Sequence, residues 1–416
     1  MSDPTMPVVT IVIPAYNHAD YLGETIESAL AQSYRDFEVF VVDDGSSDAT
    51  PYVLKGFGDA VRWIRQENSG MAASRNTGIR EARGEFIGFL DDDDLWEPNY
   101  LARVIPVLQK NSNTGACFAA FRMIDAAGNP LPQKSRLAVP PEKMYDTLID
   151  GGFFPPCSVT VRKVCFNHLG VFDTNLQGYA DWDMWLRISH EYDFVGLPQV
   201  LVKYRIHSQG LSSNVQHMFL DNLKAVVKHF GPQDEPLSIW PYDRKRAYGA
   251  AYFSAALGYY QHGQLTEVIP LLKTAFSIFP ELLTRTSTFF ELACGNQPRG
   301  YRGQASLLDL ERSSADMLHF LDAFFKSAEP SVQPLRNVAF GNAYLALAML
   351  SDQSGLWSQA RIYLLKAIQY NPKLISTSYL RRLAKLSAGK RIVGLLKRGH
   401  YPNTFSQSSS SLAEKG

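Results

Sequence analysis

Short apolar runs alternate with amphipathic stretches over residues 8–90. Residues 8–13 are a β-branched run closed by Pro14, and residues 37–42, 61–64 and 86–90 are apolar runs of similar length. Each reads as a buried strand, since a strand covered on both faces is apolar throughout. Between them, Leu22, Ile26, Ala29 and Leu30 share one helical face, a second helix runs through Val53 and Leu54, and a third covers 70–82. Four such alternations predict a parallel sheet with right-handed crossovers. Beyond Pro98 the pattern predicts a helix through Leu101, Val104, Ile105 and Leu108, then a strand over 116–124 and an irregular loop over 130–141. A strand over 159–161, a helix from Trp182 and a last strand over 200–204 complete this half.

Two of the strands end in acids. Asp43 and Asp44 close the second, and Asp91, Asp92, Asp93 and Asp94 close the fourth. Parallel strands deliver both clusters to the same sheet edge, where open α/β sheets bind ligands. Four adjacent carboxylates repel one another unless a cation sits among them. A hard divalent ion carrying a phosphorylated ligand answers that need. Asp43 also reads as a turn residue capping the next helix, and Asp94 as a cap for a helix at 95–98.

The second half changes character. Residues 213–245 read as a helical linker, amphipathic over 222–230. Gly249, Tyr252, Ala256, Gly263, Ala275 and Pro280 then recur as Gly341, Tyr344, Ala348, Gly355, Ala367 and Pro372. Each copy reads as helix, glycine turn, helix and proline, which resembles a tetratricopeptide unit. The expected division is 1–212 for an α/β domain, 213–245 for the linker, 246–400 for the helical domain and 401–416 for a disordered tail. Two copies are too few for a free-standing solenoid, so the helices are expected to pack against the first domain. They serve either as a docking platform for a protein or acceptor or as a stabilising appendage.

At 416 residues two domains are the default. Forty-one basic residues balance forty-one acidic ones, and nothing in this charge points to nucleic acid. Cys117, Cys157, Cys165 and Cys294 show no zinc-site spacing and suit a reducing compartment. With no signal-peptide pattern and no membrane-length apolar run, a cytoplasmic protein is expected, with peripheral contact at the inner membrane face compatible.

In order along the chain stand Pro14-Ala15-Tyr16-Asn17, Val42-Asp43-Asp44-Gly45-Ser46-Ser47-Asp48, Ser74-Arg75-Asn76, Phe89-Leu90-Asp91-Asp92-Asp93-Asp94, Asp181-Trp182-Asp183-Met184-Trp185-Leu186-Arg187 and Tyr204-Arg205-Ile206-His207. This set resembles the family-2 glycosyltransferases, inverting enzymes of the GT-A fold that use nucleotide-diphosphate sugars. The resemblance implies donor or nucleotide contacts from Pro14, Tyr16, Asp43, Asp44, Arg75, Asp91 and Asp92, with Asp44 favoured for the base. It also implies that Asp93 ligates Mn2+ or Mg2+, with His207 as a further metal ligand. Asp181 is implied as the general base, with Asp183 as its rival. Ala180 stands where the family usually carries Glu, which bears on acceptor positioning. Trp185 reads as core, and Trp182 as either core or a sugar platform.

The function implied is metal-dependent, inverting transfer of a single sugar to a hydroxyl of a saccharide or lipid-linked glycan, in surface-polysaccharide or glycoconjugate synthesis. The pattern Gln-x-x-Arg-Trp of processive relatives is absent. A catalytically inactive, transferase-like scaffold that binds protein through the repeats is the alternative. A nucleotidyltransferase would need a Gly-rich, basic phosphate loop after the first strand, and residues 14–18 supply none.

Overall fold

A computed structural model describes residues 6–134, 139–152, 154–208, 210 and 213–374. The expected 401–416 tail and the end of the helical region lie outside the described residues. The chain divides into two compact units between Ala247 and Tyr248.

The first unit opens with the predicted alternation. It comprises β1 (Val9–Ala15), α1 (Ala19–Leu30), β2 (Phe37–Asp43), α2 (Thr50–Gly56), β3 (Arg62–Arg65), α3 (Met71–Glu81) and β4 (Phe86–Phe89). β1 lies parallel to both β2 and β4, and β3 parallel to β2. All seven residues of β1 and all four of β4 are buried, which is why their runs are apolar apart from Thr10, whose hydroxyl donates to Glu38. A Cβ on Gly78 would come within 2.2 Å of Val12, so only glycine lets α3 approach the sheet this closely.

There follow β5 (Leu95–Trp96), α4 (Tyr100–Lys110), β6 (Thr114–Ile124), β7 (Pro130–Lys134), α5 (Met144–Ile149), β8 (Val159–Arg162), α6 (Lys163–Leu169), α7 (Ala180–Glu191) and β9 (Asp193–Arg205). The sheet runs β3-β2-β1-β4-β8-β6-β9-β5, with β7 paired to β6. β6 and β9 are parallel, while β8 is antiparallel to β4 and β6. The expected GT-A fold class therefore holds: an α/β sheet followed by an all-helical region.

Two local expectations are corrected. Residues 130–134, expected to be loop, form β7, because Asp125 Oδ1 accepts the Ala127 and Asn129 N–H groups and Gly128 takes φ 84°, closing a tight turn back onto β6. Asp94 caps no helix. Leu95 and Trp96 pair antiparallel with β9, and the next helix begins only at Tyr100, after Pro98.

Residues expected to be linker form α8 (Val215–Phe230), whose Asp221, Asn222, Ala225 and Val226 are buried in the first unit. The helical series continues with α9 (Tyr242–Gln261), α10 (Leu265–Ile278), α11 (Thr286–Ala293), α12 (Leu310–Phe325), α13 (Arg336–Gln353) and α14 (Trp357–Tyr370). The two repeat copies are α9–α10 and α13–α14. Their turn glycines, Gly263 and Gly355, share φ 73°. Their crossing glycines also match: a Cβ on Gly249 would sit 2.5 Å from Phe279 Cβ, and one on Gly341 2.6 Å from Asn371 Cβ. The phenylalanine-rich core of this unit includes Phe276, Phe289, Phe320 and Phe324.

Candidate active site

β1, β2 and β4 end side by side and bring both acid clusters to one edge. Asp43 turns inward: its Oδ1 accepts the Ser46 N–H at 2.9 Å, and Arg65 lies 3.5 Å from Oδ2. Asp44 is occupied more fully. It accepts from the Gln66 side chain (2.7 Å), Ser69 N (3.0 Å) and Gly70 N (2.8 Å), tying β2 to the loop that enters α3. A carboxylate has about four lone-pair sites, and three of these are taken. Pro14 belongs to buried β1, and Tyr16 is exposed beyond its end. Asn17 holds this turn open in the left-handed region (φ 56°), a conformation Asn tolerates, with its side chain accepting from Ser47 N at 2.7 Å.

The acid run splits into individually partnered carboxylates. Asp91 pairs with buried Arg75 at 2.5 Å. Asp92 accepts the Tyr16 N–H at 2.9 Å and lies 2.8 Å from His18 Nδ1. Asp93 lies 2.7 Å from His207 Nε2. Asp94 is fully buried and accepts the Arg205 N–H at 2.8 Å. Burial is the main cause that raises the pKa of Asp91, Asp92 and Asp94, with Asp92 reaching about 6. The hydrogen bond to Asp92 in turn lifts His18 to about 9. Arg205 holds the run from behind, with Nε on the Asp93 carbonyl (2.7 Å) and a terminal nitrogen on Glu24 (2.7 Å).

The residues present fit a divalent ion. Donor atoms of His18, Asp92 and Asp93 lie within 4.8 Å of one another, and His207 keeps a buried Nδ1 with no hydrogen-bond partner. Carboxylate oxygens with imidazole nitrogens suit Mn2+ or Mg2+, the imidazoles favouring the former.

Asp181 sits in the first turn of α7. Burial pushes its carboxyl up to about 6, Arg75 draws it down and Asp91 pushes it up again, so α7 brings it within electrostatic reach of the acid edge. One of its oxygens accepts the Trp182 N–H at 2.7 Å. A carboxylate with this pKa is neutral enough to be reprotonated and basic enough to accept a proton near pH 7.

Residues 10–166 match the model of the family described as Glycosyl transferase family 2. That segment belongs to the family. An uncharacterized glycosyltransferase of Rickettsia prowazekii is 32% identical over 211 residues, spanning 49% of this chain and 65% of the relative. A chondroitin synthase of Escherichia coli is 31% identical over 242 residues (56% and 33%), and a putative teichuronic acid biosynthesis glycosyltransferase of Bacillus subtilis 27% over 213 residues (50% and 82%). The chain thus spans less than two thirds of the first two relatives' length.

Several residues near the acid edge have other occupations. Asp183 is committed to Arg187 (2.7 Å), Lys228 (2.8 Å) and His229 (2.8 Å), which hold its pKa well down despite its burial. Trp185 donates to the Phe154 carbonyl and Trp182 to that of Leu148, and both rings are buried. Asn76 clamps the Phe172 backbone, donating to its carbonyl (2.8 Å) and accepting its N–H (2.9 Å). Sequence reasoning missed His18, although its place after the Pro14–Asn17 turn was a signal. It also missed Glu24 and Asp221, whose partners lie far away in sequence and left no local pattern.

Proposed function

We propose that the first unit transfers a single sugar, with inversion, from a nucleotide-diphosphate sugar to a hydroxyl of a saccharide or lipid-linked glycan. The observation that carries this reading is the single sheet edge on which the acid clusters of β2 and β4 meet and Arg75 pairs with Asp91, within electrostatic reach of the buried Asp181. It takes the proton of the attacking hydroxyl, and one base suffices for a direct, inverting displacement. Arg75 restrains Asp91 and presents positive charge to the donor side. Asp43, Asp44, Pro14 and Tyr16 frame the nucleoside end, with Asp92 alongside. Asp93 would hold the metal with His207, and His18 would add a donor beside Asp92. When bound, Mn2+ or Mg2+ supplies charge neutralisation for the departing nucleoside diphosphate.

The names of the E. coli and B. subtilis relatives support a role in surface-polysaccharide or glycoconjugate synthesis. No helix among the described residues is long and apolar enough to cross a membrane. The four free, buried cysteines fit a cytoplasmic setting, with docking at the inner membrane face compatible. The helical repeats are offered as a tetratricopeptide-like platform for a protein partner.

A panel of UDP- and GDP-sugars screened for thermal stabilisation with and without Mn2+ tests the reading. One donor is expected to stabilise only with metal, by about 2.7 kcal/mol at one hundred times its Kd. Asp93→Asn should abolish that response, while Asp181→Asn keeps it and loses transfer. Wild-type turnover in Asp181→Asn rejects the base.

A further inference from the structure

The helix that carries Asp181 is anchored from outside the family segment. Three consecutive backbone N–H groups, of Gln177, Gly178 and Tyr179, donate to a single oxygen, Oδ2 of Asp221, at 2.9, 2.7 and 2.9 Å. Tyr179 is the N-cap residue of α7, so the cup formed by these groups sits at the entry to the helix, just before Asp181. Asp221 is 1% exposed. Its other oxygen has no hydrogen bond, and Lys224 lies 3.8 Å away. Burying a carboxylate is costly unless oriented donors replace its water, and here the donors come from one short loop.

α8 grips α7 a second time beyond Asp181. Lys228 and His229 each reach Asp183 Oδ1 at 2.8 Å, and Lys228 also reaches Asp173 at 2.7 Å. At the first grip, Met218 packs so closely that a Cβ on Gly178 would lie 2.4 Å from its sulfur. The loop therefore has little room to shift along its own axis or toward α8.

We propose that Asp221 is a positioning residue for the proton-accepting carboxylate of Asp181. By gathering the three N–H groups it fixes where α7 begins, and with it the direction in which Asp181 points. The inference rests on the reading of Asp181 as the base. A misplacement of about 1 Å at a reacting group costs on the order of a hundredfold in rate. A merely structural residue, by contrast, would lower folding, nucleotide binding and turnover together.

The test uses the full chain with Asp221→Asn, which keeps the shape but offers the three N–H groups a neutral amide oxygen in place of the charge that gathers them. Mn2+-dependent binding of UDP and GDP is read by thermal shift. Turnover is read as nucleoside diphosphate release from whichever sugar of the UDP/GDP panel serves as donor. Expected are nucleotide binding within twofold of wild type, an unchanged KM for the donor and a kcat lower by roughly ten- to a hundredfold. Turnover within twofold of wild type overturns the inference, as does a parallel fall in nucleotide binding and turnover. If Asp221→Asn does not fold, Gly178→Val decides: it displaces the same loop from the Met218 side with the carboxylate intact, and it has to give the same split. Wild-type turnover in Asp181→Asn rejects the base itself. An inactive Asp181→Asn beside a fully active Asp221→Asn rejects only the positioning.

Discussion

Asp181 and Asp183 lie two residues apart in the first turn of α7, yet their carboxyls are pushed in opposite directions. Burial lifts Asp181 to about 6, whereas His229, Arg187 and Lys228 hold Asp183 well below the usual range against its own burial. One helical turn thus carries two buried carboxyls shifted in opposite directions.

Their substitutions should therefore change stability with opposite signs. The folded pKa of Asp181 exceeds its unfolded value, so ionising it costs stability as pH rises from about 4 to 6. Asp181→Asn is expected to be more stable than wild type by about 3 kcal/mol at pH 7.5, with the gain vanishing below pH 4. Asp183 has a depressed folded pKa, so its contribution is present above the unfolded pKa and is lost as pH falls through the folded one. Asp183→Asn should cost about 3 kcal/mol at pH 7.5, because it takes the buried carboxylate away from Arg187 and Lys228. Urea unfolding at the two pH values measures both.

The pH profile of kcat/KM reports the base. The rate should rise about tenfold per pH unit below pH 6 and level off above it, as ionised Asp181 accumulates. Arg75 lowers the pKa of Asp181, so Arg75→Met should move this limb to higher pH. It should also destabilise the fold by about 3 kcal/mol, since Asp91 loses its buried cation. An unmoved limb in a folded Arg75→Met protein would break the link between Arg75 and the base.

The helical repeat makes its own prediction. Gly249→Ala and Gly341→Ala each drive a Cβ into another Cβ, an atom with little freedom to yield. Each should cost about 1–3 kcal/mol by overpacking. Gly263→Ala and Gly355→Ala, strained only by positive φ, should cost about 1 kcal/mol. Melting curves rank the four, and nucleotide binding by the first unit should not move.

What could be read from the sequence was whatever declares itself locally. The strands β1, β2 and β4 are apolar because both faces are covered, and their acid endings mark the ligand edge. The repeat glycines announce turns and close crossings at equal spacing. Asp94 misled, because a carboxylate before an apolar pair looks like a cap, and only pairing with distant β9 makes Leu95–Trp96 a strand. His18 stands at the entry to α1, and only the fold sets it on Asp92. Asp221 sits in a stretch that looks like amphipathic linker, and nothing near it in sequence reveals three N–H groups more than forty positions earlier.

The clamp that Arg205 places on Asp93 and Asp94 spans 112 and 111 positions, respectively. During synthesis on the ribosome, the acid edge therefore emerges long before the residue that shapes it. Its four carboxylates wait, mutually repelling, until β9 has been made and has closed that long loop. The acid edge is therefore complete only once Arg205 has been made. A chain stopped at residue 166, where the family segment ends, carries every acid of the run but lacks the strand that pairs with β5 and the arginine that holds the run in shape.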